Sequence, residues 1–172
     1  MRFTLRQMTP QELDRLVEID VSERGTVVYA FTNGQLETSP ETWHRPSWTA
    51  QSWREEYWIT LLGVNGLRIT GAFDQDRLVG IAVLRPHLTQ NTAQLAALFV
   101  SRDHRRQGIA KALAEEACLM AKEHGHSEVY VSATPSESAV GFYMNQGFAP
   151  TVHVHPELYA LEPEDIHMVK SL

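Results

Sequence analysis

The spacing of apolar positions changes several times along the chain, and each change marks an element. "RFTLRQMT" alternates, with Phe3 and Leu5 on one face, and predicts a first strand. "TPQELDRLVEID" switches to helical spacing through Leu13, Leu16 and Val17, with Thr9 as N-cap, Pro10 at the first helical position and Glu12 closing a capping box. A β-prone run from Thr26 to Thr32 ends at Asn33-Gly34, a strong hairpin dipeptide, and Leu36 starts the return strand. "TAQSWREEYWITLLGVNG" predicts a helix capped by Thr49, with Trp53, Tyr57 and Leu61 at i, i+4 and i+8.

From Leu67 the pattern becomes that of strands. Two are joined by a turn at Asp74-Gln75-Asp76. The second, Leu78 to Leu84, is almost wholly apolar, as a central strand should be. "TAQLAALFV" is a third. A helix follows Gly108, with Ile109, Leu113, Ala117 and Met120 as its buried stripe and Gly125 as its stop. "SEVYVSA" is a strand, and "TPSESAVGFYMNQGF" a helix with Thr134 as cap, Pro135 first and Glu137 closing the capping box. "APTVHVH" and "DIHMVKSL" predict two final strands. The order implies an α/β or α+β single domain with a mixed sheet. Within it, residues 1–66 carry the first strand and two helices, 67–148 the core, and 149–172 the last strands.

Composition narrows the options. A net charge of −6 argues against a general nucleic-acid binder. One cysteine, Cys118, allows no internal disulfide and suits a reducing compartment. The N-terminus meets charge too early for a secretory signal, and no apolar run approaches the ~18 residues of a membrane span. These features predict a soluble, cytoplasmic protein without a membrane partner.

The stretch "SRDHRRQGIAKALAEEA" places Arg105, Arg106, Gln107 and Gly108 at the mouth of a helix. A helix N-terminus carries free N–H groups and about half a positive charge, so it favours an anion. Gly108 and the small Ala110 permit close backbone approach to a phosphate or pyrophosphate. Neither a P-loop nor the dinucleotide fingerprint is present.

These residues resemble the cofactor segment of the GNAT superfamily of N-acetyltransferases. Arg105, Gly108 and Ala110 fill the R/Q-x-x-G-x-G/A positions after a strand ending in an apolar-x-Val-x-x step. Downstream, "SESAVGFYMNQGF" is similar to the family's N-x-x-A-x-x-x-Y-x-x-x-G-F helix through Ala139, Tyr143, Gly147 and Phe148, with Ser136 where Asn is common. The resemblance covers about Leu78 to Phe148.

It implies a three-layer α/β/α fold whose mostly antiparallel mixed sheet splays at the acyl-CoA site. The co-substrate would be acetyl-CoA or another acyl-CoA, with no metal. Its pyrophosphate would rest on Arg106–Lys111, meaning Arg106, Gln107, Gly108, Ile109, Ala110 and Lys111, and its pantetheine would pair with Leu98, Phe99 and Val100. The N–H of Phe99 or Leu98 would meet the acyl oxygen, and Tyr143 would act as general acid. An amine acceptor, small-molecule or protein, would attack directly in a ternary complex. Many relatives carry a glutamate base on the strand before the cofactor segment. Ala96 stands there, with Gln94 two before it. The expected route is ordered water, with His87, Asp20 or Glu23 as relay. A non-catalytic acyl-CoA-binding or sensing module, or an anion-binding partner module without CoA, is the alternative that the missing glutamate leaves open.

Other features have plainer readings. His153 and His155 share one face of a predicted strand, where solvated histidines are commoner than a metal site. Cys118 is a small core residue. Trp43, Trp48, Trp53, Tyr57 and Trp58 are core, or, with Asp20, Glu23, Glu37 or Glu41, an acidic aromatic cleft for a cationic amine. The final strands expose edges that could pair in a homodimer.

Overall fold

The computed structural model describes residues 3–55 and 61–172. β1 (Thr4–Met8) leads into a 3-10 helix, Pro10–Glu18, rather than the α-helix its spacing suggests. The Glu12 carboxylate accepts the Thr9 N–H at 2.9 Å, so the predicted capping box forms. Leu13 and Leu16 are its buried residues.

β2 (Glu23–Thr32) and β3 (Gln35–Arg45) form a separate two-stranded hairpin. Asn33 and Gly34 both have positive φ, 52° and 78°, which is the geometry a two-residue turn needs. The hairpin is tied to the body by the Tyr29 N–H, which donates to the Pro135 carbonyl at 2.9 Å. The helix expected after Thr49 begins as α1 (Ser52–Glu55), and the Ser52 N–H bonds to Thr49 Oγ1 at 3.1 Å. Tyr57 and Trp58 lie outside the described residues. Trp48, Trp53 and Leu61 are buried, as core rather than cleft residues.

The remaining strands are β4 (Arg68–Asp74), β5 (Arg77–Arg85), β6 (Thr92–Val100), β7 (Glu128–Ala133), β8 (Ala149–Pro150) and β9 (Ile166–Ser171). With β1 they make a seven-stranded sheet in the order β1-β4-β5-β6-β7-β9-β8. Every described pairing is antiparallel except β6 with β7. The helices are α2 (Ile109–Glu123), α3 (Glu137–Asn145) and α4 (Pro156–Leu161).

β5 is buried on both faces, which explains its unbroken apolar run. Ala82 and Leu84 join a core with Ile109, Leu113 and Ala117 of α2. Ile81 and Val83 join a second core with Leu13, Leu16, Trp48 and Trp53. The sheet is thus covered by α2 on one side and by the 3-10 helix with its aromatic neighbours on the other. The α2 stripe ends at Ala121 rather than Met120, one position round the helix.

Two further expectations fail. α3 is capped by Ser136, whose hydroxyl accepts the Ala139 N–H at 3.2 Å, and not by Thr134. The first of the two final strands is only two residues long. Most of "APTVHVH" is irregular, and Pro156 starts α4 instead. His153 and His155 therefore share no strand face. His155 is the N-cap residue of α4. β8 lies on the outer edge of β9 and pairs there only through Ala149↔Val169 and Pro150↔Met168, where Pro150 has no N–H to donate.

Gly80 shows how tightly α2 is seated. A Cβ there would lie 3.0 Å from Ile109 Cγ2, 3.1 Å from the Phe99 carbonyl and 3.2 Å from Leu113 Cδ1. Gly80→Val should lift the start of α2 off the sheet and cost about 1–3 kcal/mol, read as a lower urea midpoint with an unchanged slope.

Candidate active site

The site is organised by a failure of strand pairing. β6 and β7 pair only over Thr92↔Glu128, Ala93↔Val129 and Gln94↔Tyr130. Beyond Gln94 they separate. The cause lies on the other side of β6, where Val83 faces Ala97 but Leu84 faces Leu95. Ala96 is the extra residue of a β-bulge, and a bulge bends its strand. The position where relatives carry a glutamate is therefore the bend itself.

The ladder fixes which backbone groups face the gap. The Ser101 N–H donates to the Val79 carbonyl at 2.8 Å, so Ser101 faces β5. In an antiparallel ladder alternate residues turn their N–H and C=O to the same side. Phe99 therefore turns its N–H toward Ile81, and Leu98 and Val100 turn theirs into the gap. The Arg105 Nε–H confirms the alternation by reaching the Val100 carbonyl at 3.2 Å. This corrects one expectation: of Phe99 and Leu98, only Leu98 presents an N–H to the space between the strands. The Phe99 ring packs on Trp48 at 4.7 Å and lies 5.7 Å below the Arg45 guanidinium.

The segment after β6 is a tight turn. Arg106 and Gly108 have φ of 63° and 85°, both left-handed. No protein atom lies within 4 Å of a Cβ built on Gly108, so its outer face is open. The first bond of α2 runs from the Ala112 N–H to the Gly108 carbonyl at 3.0 Å. The N–H groups of Ile109, Ala110 and Lys111 precede it and have no intrahelical acceptor. Ile109 serves by its backbone alone, because its side chain is buried.

The turn is braced from below. His104 lies 2.8 Å from Asp103 and 3.2 Å from Asp74, and Asp103 also pairs with Arg77 at 2.8 Å. The Asp103 bond chiefly, with that of Asp74, raises the His104 pKa, so its cationic form is favoured. The Gln107 side chain donates to the Asp103 carbonyl at 3.2 Å. It belongs to this brace and does not line the cleft.

The gap opens into a cleft of about 1420 Å³, larger than the roughly 300–1,000 Å³ of an ordinary small-ligand pocket. It runs from Arg105, Arg106 and Lys111 past Leu98 to Tyr143. Ala139 and Ser136 line its wall, although the Ser136 hydroxyl is engaged as the α3 cap. Tyr143 is 8% exposed, packs on Phe148 at 5.3 Å, and has no hydrogen-bond partner among the described residues. Burial, with lesser contributions from Asp165 and Glu162, pushes its hydroxyl well above the usual phenol range. It holds its proton firmly.

The three relay residues separate. His87 lies at the closed end of the sheet, its ring 5.0 Å from that of His126, and does not reach the cleft. Asp20 accepts the Ser22 N–H at 2.9 Å and stays outside as well. Glu23 lines the cleft, but its carboxylate accepts the Ser138 hydroxyl at 2.5 Å and lies 4.0 Å from Arg105. Glu37 and Glu41 are exposed on β3, so the acidic aromatic cleft reduces to Glu23 and Trp43.

Among the cleft residues that the sequence reading missed are Arg45, Glu162 and Asp165. "LEPED" marks an acidic cluster before the last strand, yet nothing in the order of residues shows which way it turns. The structure turns it inward. Ile166 pairs with Ala133, the last residue of β7, which sets Asp165 at the open end of the gap. Burial raises the Glu162 carboxyl and, with Glu162 adding to it, pushes Asp165 up to about 7.

A splayed parallel pair, a left-handed glycine before a helix and a buried tyrosine across the gap define a fold built to hold a long, anionic, strand-like ligand. Comparison with known proteins agrees. Residues 28–148, more than half of the chain, match the model of the Acetyltransferase (GNAT) family, and the chain belongs to that family. It is 39% identical over 85 residues to N-acetyltransferase 8 of Homo sapiens, an alignment covering 46% of this chain and 37% of that one. The chain thus matches well under half the length of such relatives. Two solved structures share its fold over nearly their whole lengths. Nourseothricin acetyltransferase has a TM-score of 0.76 at 18% identity, covering 99% of each chain. A candidate streptothricin acetyltransferase from Bacillus anthracis str. Ames, solved with acetyl coenzyme A, has a TM-score of 0.77 at 19% identity and covers 100% and 99%. No helix among the described residues is long and apolar enough to cross a membrane.

Gly108→Val should strain the turn by about 1–2 kcal/mol and place a branched side chain where the anion would sit. Gly108→Asn, which tolerates positive φ, should keep the wild-type melting temperature. Thermal denaturation with CoA titration of both variants checks this. Valine is expected to lower both stability and affinity, and asparagine affinity alone.

Proposed function

We propose that this protein transfers an acetyl group from acetyl-CoA to a primary amine, by direct attack in a ternary complex and without an acyl-enzyme. The observation that carries the reading is the gap past Gln94, with the Leu98 and Val100 N–H groups on one side and Tyr143 on the other. The co-substrate's acyl thioester supplies the electrophile. Arg105, Arg106 and the free N–H groups at the start of α2 would hold its pyrophosphate, and the outward edge of β6 would hold its arm.

Each remaining requirement of the chemistry has a residue. The Leu98 N–H would donate to the acyl oxygen as negative charge develops there. Tyr143 would protonate the departing thiolate. Its raised pKa keeps the proton in place until that step, and transfer then depends on close placement rather than on acidity. Cys118 is half-buried in α2, does not line the cleft, and its thiol is pushed up by burial, so it offers no nucleophile. The acidic residues of the cleft favour an acceptor that arrives as a cation. A partner amine on a small molecule or on a protein fits equally, and the protein would work in the cytoplasm without metal.

Titration calorimetry with acetyl-CoA, on the wild type and on the Arg106→Glu, Gly108→Trp double variant, tests the first half. Micromolar binding that the variant loses is the expected result. Thiol release from acetyl-CoA with 1,5-diaminopentane, spermidine, L-lysine and a lysine peptide tests the second. Tyr143→Phe should reduce kcat on the best amine by about 10²-fold with little change in acetyl-CoA affinity. Binding without turnover of any amine would favour a non-catalytic acyl-CoA-binding module instead.

A further inference from the structure

Acetyl transfer to an ammonium needs a group that takes a proton before attack, and the bulge residue Ala96 has no side chain that can do so. Five carboxylates line the cleft: Glu23, Glu137, Glu162, Glu164 and Asp165. Glu137 and Glu164 are exposed at the rim, and Glu23 is held by Ser138 with Arg105 nearby. Glu162 and Asp165 remain, both half-buried, and the Asp165 carboxylate has no ion pair or hydrogen bond among the described residues.

Their segment is fixed rather than loose. The Glu162 N–H closes α4 on the Leu158 carbonyl at 2.9 Å, and the Asp165 N–H turns back to the Glu162 carbonyl at 3.2 Å. Behind the turn lies a buried chain. The Tyr130 hydroxyl donates to His167 Nδ1 at 2.8 Å and accepts the His155 N–H at 3.1 Å, while His167 Nε2–H donates to the Glu162 carbonyl at 3.1 Å. That arrangement needs a neutral imidazole, and burial lowers the His167 pKa in the same direction. The chain holds the turn at the cleft that Tyr143 also lines, and both carboxylates lie near enough to raise the Tyr143 hydroxyl by their charge.

We propose that Asp165, seconded by Glu162, receives the acceptor's ammonium group and takes its proton, in place of the glutamate that the bulge lacks. This rests on the acetyl-transfer reading above. The steps balance. The ammonium gives one proton to the Asp165 carboxylate, which passes it to solvent. The neutral amine forms the C–N bond, and the C–S bond breaks. The nitrogen's second proton returns through Asp165 to Tyr143, which has given its own to the thiolate. The products are amide, free CoA thiol and one released proton.

The groups facing Asp165 are Glu162 from its own turn, Arg45 from β3 and Tyr143 from α3. Burial and Glu162 push Asp165 up, Arg45 opposes them, and a proton acceptor poised near neutral pH results. The sign of the stability effect follows. The folded carboxyl titrates above its unfolded value of 3.8, so the native state holds the extra proton between about pH 4 and 7. Stability is lost as pH rises through that window.

Asp165→Asn and Glu162→Gln variants of the whole chain test this, with the amine from the panel that wild type turns over fastest. Asp165→Asn is expected to lower kcat/KM for the amine by about 10²-fold or more. It should remove the acid limb near pH 7 and leave the KM for acetyl-CoA within about twofold. Glu162→Gln should shift that limb to lower pH. Independently of activity, Asp165→Asn should melt above wild type at pH 8, and the gap should narrow steadily as pH falls toward 4. An acid limb unmoved in Asp165→Asn, or no melting difference at pH 8, overturns the assignment of Asp165 while leaving acetyl transfer intact. Turnover of no amine by wild type overturns the acetyl-transfer reading, and this inference with it.

Discussion

Unpaired strand edges are costly, and this molecule keeps two of them open in the middle of its sheet. β6 and β7 share three residues of pairing and then part, leaving the outward N–H groups of Leu98 and Val100 and the Leu98 carbonyl in a cleft, while the Val100 carbonyl takes the Arg105 Nε–H. Backbone polar groups withdrawn from water need partners. A ligand with amides along its length can provide them by completing the sheet, so in the proposed reaction the same feature that weakens the fold would recruit the co-substrate. Everything else keeps this gap open and aims groups into it. The bulge at Ala96 bends one wall, and β9 holds the other by pairing with β7 along all six of its residues.

The two ends of the gap are furnished by different physics. At one end the charge is positive and belongs largely to the backbone, through the left-handed turn at Arg106 and Gly108 and the start of α2. Such charge needs no side-chain entropy to hold it in place, and the Asp74, Arg77, Asp103 and His104 network keeps the turn from relaxing. At the other end the charge is negative and carried by side chains whose desolvation is costly. Glu162 and Asp165 are kept there by the Tyr130–His167 chain. In the proposed reaction an anionic ligand and a cationic one would thereby be drawn to opposite ends of one cleft, with Leu98 and Tyr143 between them.

The local elements were legible in the residues because their causes are local. Asn33-Gly34 makes its hairpin turn because both positions need positive φ, and Glu12 closes its capping box because the two partners are three residues apart. Gly108 announces the anion turn for the same reason. The failures have equally physical origins. Pro10–Glu18 has helical spacing, which does not distinguish the 3-10 form over so short a run. "APTVHVH" has strand composition, but only Ala149 and Pro150 pair, on the outer edge of β9, and Pro156 starts a helix six residues later. Ser136 displaced Thr134 as cap because the chain turns after Pro135, which no propensity encodes.

Of the candidate site, the sequence alone determined the left-handed turn before α2 and the place of the tyrosine, because those rest on spacing within single helices and on backbone conformations that only certain residues adopt. It left two N–H donors open. The register of β6 on β5 chose Leu98 over Phe99, since alternation in a ladder is set by the partner strand. It also offered His87, Asp20 and Glu23 as proton carriers by nearness in an imagined fold. Only tertiary structure could send His87 to the closed end of the sheet, tie Glu23 to Ser138, and turn Glu162 and Asp165 inward to the cleft that Tyr143 lines. A carboxylate's usefulness depends on how much water and how much charge surround it, and both are properties of packing between segments far apart in the chain.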